Sequence, residues 1–195
     1  MLSFDKENIV KNFTSKGVFP HQMAFTLLLP FRNIIFSPKK LIQRLELKSD
    51  MRALEVGSGP GYFSVYVAKN LQKGILVLAD IQKEMLSKAR KRLVRKKIFN
   101  TEYYLCDGES FNFTDNSFDR IFLVTVIGEV ENKKLYFQEF YRILKPEGIL
   151  SISELAGDPD KMKPEEIRSL AEGVGFSFYK FYGNKKNYTI NFLKK

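Results

Sequence analysis

From Met51 onward the chain alternates short apolar runs with amphipathic ones, and this alternation restricts the fold more than any other feature. "MRALEV" and "ILVLAD" are brief, aliphatic and bounded by turn residues, as buried strands are. Between them, "GYFSVYVAKNLQK" places Phe63, Val67 and Leu71 at spacings of four, the repeat of a helix packed on a sheet. "IQKEMLSKARKRLVRKK" follows as a second helix, "TEYYLC" as a strand and "FDRIFLVTVI" as a strong central strand. "KKLYFQEFYRIL" reads as a helix ending at Lys145-Pro146, and "GILSISEL" as a further strand. "KPEEIRSLAEGV" is a helix with Pro164 in its first turn. "GFSFYKFYG" and "KKNYTINFL" alternate apolar and polar residues around Gly183-Asn184, the pattern of an antiparallel hairpin. Strands separated by helices need crossover connections, which implies a doubly wound α/β fold with a mostly parallel sheet.

Residues 1–50 differ. They hold no convincing strand, and Phe, Leu, Ile and Met cluster from Phe13 to Leu47, broken at Pro20, Pro30 and Pro38. We expect two or three short helices docked over the C-terminal edge of the sheet, a helical lid (1–50) on a second unit (51–195).

A chain of 195 residues buries roughly 70% of its unfolded surface and needs no covalent staple. Its single cysteine, Cys106, excludes an intrachain disulfide, and no Cys/His cluster offers a metal site. The reducing cytoplasm is the default compartment. The N-terminus "MLSFDKENIV" mixes charges where a signal peptide would be apolar. "GVFPHQMAFTLLLPF" is too short for a bilayer span and carries two prolines, so no transmembrane segment is expected. Lys and Arg number 32 against 22 Asp and Glu, a net charge of +10. The densest patch, residues 88–97, holds seven basic residues opposite Met85, Leu86, Ala89 and Leu93. It reads as a solvated helix face or as a docking surface for nucleic acid, anionic lipid or an acidic substrate.

"LEVGSGPGYF" carries Gly57, Gly59 and Gly61, with Ser58 between the first two, directly after a strand and before a helix. Such a turn lets a ligand approach the backbone closely. It is not quite the dinucleotide fingerprint, because the third glycine comes one residue early. Glu55 sharpens the difference. A carboxylate beside the turn would repel a pyrophosphate, whereas S-adenosylmethionine brings a sulfonium and an ammonium, both positive. Asp80 ends the second strand, 19 residues after Gly61, where it can accept both ribose hydroxyls. Asp107 in "YLCDGES" ends the third strand, where an acid can accept from an adenine amino group. The three acids would line one crevice at the topological switch point.

With these residues in place, the chain resembles the class I S-adenosylmethionine-dependent methyltransferases, in the branch typified by ubiquinone/menaquinone-biosynthesis methyltransferases. The stretches that carry the resemblance are "LEVGSGPGYFS", "LADIQKEMLSKAR", "CDGESFNFTDNSFDRIF" and "EFYRILKPEGIL", between about Met51 and Glu154. It implies a Rossmann-like seven-stranded sheet with the terminal hairpin. It also implies cofactor contacts from Glu55, Gly57, Ser58, Gly59, Gly61, Asp80, Ile81, Asp107 and Gly108, and backbone contact near Val124.

Methyl transfer displaces an already activated leaving group in line, so the protein mainly aligns the acceptor and excludes water, an effect worth roughly 7–11 kcal/mol. Candidate catalytic residues are Glu129, as a base or acceptor-orienting group, and His21 in the lid, titrating near neutral pH. Each also reads as an ordinary residue, a solvated loop acid and a structural histidine. The family often places histidines where this chain has Gly128-Glu129. No N/D-P-P-Y/F motif follows the fourth strand, and no Pro-Cys nucleophile exists, which argues against DNA-modifying chemistry. The expected acceptor is a small molecule or lipid. The alternatives are an RNA or protein acceptor, or a module that binds the cofactor without turning it over.

Overall fold

The structure, a computed structural model, describes residues 36–108 and 110–195. His21 and most of the expected lid lie outside the described residues.

The strands are β1 (Arg52–Val56), β2 (Ile75–Asp80), β3 (Thr101–Leu105), β4 (Phe118–Val124), β5 (Leu144–Glu154), β6 (Phe176–Gly183) and β7 (Tyr188–Lys194). The helices are α1 (Pro38–Leu45), α2 (Ser64–Asn70), α3 (Lys83–Arg95), α4 (Lys133–Ile143) and α5 (Pro164–Glu172). They form one seven-stranded sheet in the order β3-β2-β1-β4-β5-β7-β6. β1, β2, β3, β4 and β5 pair in parallel, whereas β7 runs antiparallel to both β5 and β6. The fold is the expected Rossmann-like α/β sheet with its terminal hairpin.

The central strands β1, β2 and β4 divide their side chains between two cores, as a period of two requires. Leu54, Val77, Ile121 and Leu150 face Phe137, Phe140 and Ile143 of α4 and Ile167 and Ala171 of α5. Ala53, Leu76, Leu78 and Phe122 face the opposite way, onto α1, α2 and α3. Helices on both faces explain why the central strands read as nearly unbroken apolar runs. In α3, Met85, Leu86, Ala89 and Leu93 are buried while Lys88, Arg90, Lys91 and Arg95 are exposed, so the basic patch lies on the solvated face.

Two expectations need correcting. The first concerns α1, which lies on the face of the sheet beside α2, not over its C-terminal edge. Ser37 caps this helix and Pro38 opens it, while Leu41 and Leu45 are buried. Its last carbonyls, which no helical N–H can reach, find partners on the sheet. Arg120 Nε donates to Leu45 O at 2.7 Å and Asn191 Nδ2 to Arg44 O at 2.6 Å. Arg44 Nη1 in turn donates to Thr189 Oγ1 at 2.8 Å. Polar residues of β4 and β7 thus anchor the helix.

The second concerns β5, which starts at Leu144, ahead of the expected Gly148. Leu144 pairs with Phe118 and Ile149 with Arg120, so the intervening residues bulge out and return to register. Just before the bulge, Arg142 ties α4 to the chain entering β4. It donates to Glu139, Asp115 and the carbonyls of Phe111 and Phe113 at 2.7–2.9 Å.

Candidate functional site

Between β1 and β4 the direction of winding reverses, and an open α/β sheet binds ligands at the carboxyl ends of the strands flanking such a point. The glycine turn leaves β1 there. Gly57 has φ +66°, a conformation that side chains resist, and a Cβ on it would stand 2.4 Å from Val126 Cγ2. The turn therefore packs closely against the exit from β4. Three more residues of turn precede α2, which begins at Ser64 and not at Gly61.

Asp80 fastens this turn to β2. Its Oδ2 accepts from Gly59 N at 2.8 Å and its Oδ1 from Gln82 N at 2.9 Å. Ser58 N adds a bond to Ala79 O at 3.1 Å. Burial raises the Asp80 carboxyl above its ordinary range, opposed by these N–H groups. The Ser58 hydroxyl is buried within the turn and has no hydrogen-bond partner among the described residues.

Glu55 is buried beneath the turn, where Ser64 Oγ donates to its Oε2 at 2.5 Å. Burial pushes it up to about 8 against the pull of that bond, and the charge of Asp80 pushes the same way. Asp107 stands two residues past β3, exposed, with Ser110 N donating to its Oδ1 at 2.9 Å. Next to it, Gly108 has open space within 4 Å of where a Cβ would point. Ile81 is 44% exposed beside Asp80. Val124 ends β4, and its carbonyl takes the Thr125 hydroxyl at 2.7 Å. Thr125 itself has φ +56°, a strained conformation for a β-branched residue, at the point where β4 turns into the site.

The structure thus gathers Glu55, Gly57, Ser58, Gly59, Gly61, Asp80, Ile81, Asp107, Gly108 and Val124 around adjacent strand ends, β3, β2, β1 and β4. The donors and acceptors suit a nucleoside carrying positive charge. Asp80 keeps lone pairs beyond the two N–H groups it accepts, the Ser58 hydroxyl is unspent, and the ground beside Asp107 is open.

Glu129 closes a single 3₁₀ turn, Ile127–Glu129, after β4. Burial raises its carboxyl to about 7, and the charges of Asp158, Asp160 and Asp80 add to the rise. Its neighbour Gly128 lies directly beneath the Asp160 carbonyl.

One residue escaped sequence reasoning. Glu154, the last residue of β5, is wholly buried, and among the described residues no side chain hydrogen-bonds its carboxylate oxygens. Burial raises it to about 8; Asp158 adds to the shift, while the Met162 N–H and Lys161 oppose it and Glu129 reinforces it. The available signal was an acid next to last in the strand-like run "GILSISEL".

These raised acids fix the sign of a pH dependence. The folded protein holds protons on Glu55 and Glu154 up to about 8, where the unfolded chain has released them. Stability from these groups is present below the ordinary carboxylate range and is lost as pH rises toward about 8. Urea denaturation across this range should show falling stability, and Glu154→Gln should flatten the slope. A slope unchanged by that substitution would contradict the assignment.

Among the described residues no group of three or more His, Cys, Asp or Glu is disposed to hold a metal ion. Cys106 is buried, and its thiol is pushed up to about 11, chiefly by burial and then by Asp80.

Residues 47–187 match the family described as "Methyltransferase domain". The chain belongs to that family and is a class I S-adenosylmethionine-dependent methyltransferase of the ubiquinone/menaquinone-biosynthesis-like branch. It is 28% identical over 182 residues to the ubiquinone/menaquinone biosynthesis C-methyltransferase of Rickettsia prowazekii, covering 91% of this chain and 68% of that protein. It is 26% identical to phosphoethanolamine N-methyltransferase 3 of Arabidopsis thaliana over 78% of this chain but 31% of that one. Among solved structures, an S-adenosylmethionine-dependent methyltransferase from Aquifex aeolicus shares the fold with a TM-score of 0.85 at 22% identity, covering 91% of this chain and all of that one. The described helices include none long and apolar enough to cross a membrane.

Proposed function

We propose that the methyl acceptor is a small or lipophilic organic molecule, brought to the carboxyl ends of β4 and β5 opposite a cofactor held at the ends of β1, β2 and β3. S-adenosylmethionine, when bound, supplies a methyl group on a sulfonium that departs as a neutral thioether. In this reading the free lone pairs of Asp80 accept the ribose hydroxyls, and Asp107 accepts from the adenine amino group over the open ground at Gly108. Ser58 offers its hydroxyl to the amino-acid end. Glu55 acts through its charge from beneath the turn, since an approaching cation favours the ionised carboxylate. Glu129, raised to about 7, can hold or take a proton at the acceptor near neutral pH. His21 remains a second candidate base. A single buried cysteine fits a reducing compartment such as the cytoplasm.

The observation that carries this reading is the glycine turn pinned by Asp80, with buried Glu55 beneath it. The relatives support the acceptor class: one acts in ubiquinone/menaquinone biosynthesis, and the other is named for a small amine phosphate. Labelled methyl transfer to hydroquinones, phenols, small amines and lipid extract, with total RNA and protein alongside, tests it. Label in a small or lipid product is expected, and label confined to RNA or protein would overturn it.

A further inference from the structure

The three most exposed large apolar side chains among the described residues all belong to α3 and the segment that follows it: Phe99 at 73%, Leu105 at 53% and Val94 at 50%. The chain around Val94 and Phe99 is basic. Lys88, Arg90, Lys91, Arg95, Lys96 and Lys97 are exposed, and no acid occurs between Ser87 and Asn100. No ion pair among the described residues takes up Arg90, Lys91, Arg95, Lys96 or Lys97. The nearby Glu102 is already held by Arg52 at 2.7 Å. Helix and strand present one face, since Arg90 lies over the Tyr103 ring of β3 at 5.9 Å and Leu105, two residues on, shares the Tyr103 side of the strand. β3 is also the edge of the sheet, with no strand beyond it. The turn between α3 and β3 holds Phe99 outward. Lys97 takes a left-handed φ of +57°, its N–H bonds to Val94 O at 2.9 Å, and Ile98 N bonds to Leu93 O at 3.0 Å. This pair of helix-ending bonds accompanies a buried Ile98 and leaves Phe99 in solvent. The cations of the last turn have a local use, offsetting the negative end of the helix. Val94 and Phe99 have none, because apolar surface held in water is unfavourable.

We propose that the solvent face of α3, with the turn at Phe99, docks on an anionic lipid surface. The Lys and Arg side chains meet the headgroup phosphates, and Val94 and Phe99 enter the apolar layer beneath them. Long basic side chains suit that depth, because their stems pass apolar surface while their charged ends stay among the headgroups. A nucleic acid would share the charge but has no use for Val94, since an aliphatic side chain neither stacks on a base nor meets a phosphate. A second copy of the chain carries the same charge of +10, and residues 1–35 are themselves net basic, so both are repelled from this face. The face also reaches the site. Leu105 ends β3 two residues before Asp107, so a lipid surface along α3 and β3 would lie beside the strand ends. The docking does not depend on the identity of the methyl acceptor.

The test uses the full chain and sedimentation with vesicles of phosphatidylcholine, with or without phosphatidylglycerol. The chain should sediment with the anionic vesicles and not with the neutral ones, and rising salt should release it. Replacing Arg95, Lys96 and Lys97 together by Gln should weaken binding about a hundredfold, since each basic residue near an anionic surface contributes about a factor of five. Phe99→Ser should weaken it by about tenfold or more, with Val94→Ser as the second variant if the first folds poorly. The chain has no tryptophan, so Phe99→Trp supplies a single fluorophore whose emission should shift to shorter wavelength on anionic vesicles. A contact made by charge alone would leave that emission in place. Single-stranded RNA is titrated alongside, read by fluorescence anisotropy. No binding to anionic vesicles, equal binding to neutral ones, undiminished binding by the triple variant, an unshifted tryptophan, or binding of RNA in place of vesicles would each overturn the proposal.

Discussion

Asp80→Ala should bind S-adenosylhomocysteine at least about tenfold more weakly than the unsubstituted protein. Hydrogen bonds from ribose hydroxyls to a carboxylate are charge-assisted, each worth about 1.5–3 kcal/mol, and about 1.4 kcal/mol is a factor of ten. The substitution also releases Gly59 N and Gln82 N, which the two Asp80 oxygens now hold. The glycine turn would then lose its tether to β2 as well as its ligand contact. Asp80→Asn separates the two contributions, because its amide keeps one acceptor oxygen for the turn but no charge. It should fall between the parent and the alanine variant. A folded Asp80→Ala protein with undiminished affinity would remove Asp80 from the cofactor site.

The second large effect is expected at Gly128. A Cβ there would lie 1.8 Å from the Asp160 carbonyl oxygen and 2.6 Å from its carbon. Both atoms belong to the backbone, so no side chain can swing aside to relieve the clash. Gly128→Ala should therefore cost about 1–3 kcal/mol, the usual range for forcing extra atoms into a packed contact. At this chain length that corresponds to a fall of several degrees in melting temperature. Because the displaced segment carries Asp158 and Asp160, the variant should also perturb the titration of Glu129, whose carboxyl both acids help to raise. An unchanged melting temperature would contradict the close approach. Any larger side chain at position 128 would meet the same backbone.

The strand-helix alternation was legible because each central strand is covered on both faces. Burial on two sides leaves a continuous aliphatic run, and "ILVLAD" and "FDRIFLV" are such runs. The glycine turn and a strand-end acid at Asp80 were also legible, since both leave direct marks in residue type; that Asp80 would hold the turn through Gly59 N was not. The bulge that opens β5 was hidden, because "LKPEG" looks like a helix stop and the irregular pairing of Leu144 depends on a partner strand. The seat of α1 was hidden for a similar reason. Its anchor is a set of backbone carbonyls meeting Arg120 and Asn191, residues far away in sequence. Glu55 was read as a charge facing the ligand, but the fold places it under the turn with Ser64, so its influence passes through burial and proximity. Glu154 looked like the end of a strand. What distinguishes it is the complete burial of a carboxyl group, a property of three-dimensional surroundings that no local pattern records.

The most direct test of the central claim is calorimetric titration of the purified protein with S-adenosylhomocysteine, with NAD run in parallel. The account predicts micromolar binding of the former, weakened by Asp80→Ala, and none of the latter. Binding of NAD without S-adenosylhomocysteine would contradict it, because the strand ends would then be serving a dinucleotide and not a nucleoside carrying positive charge.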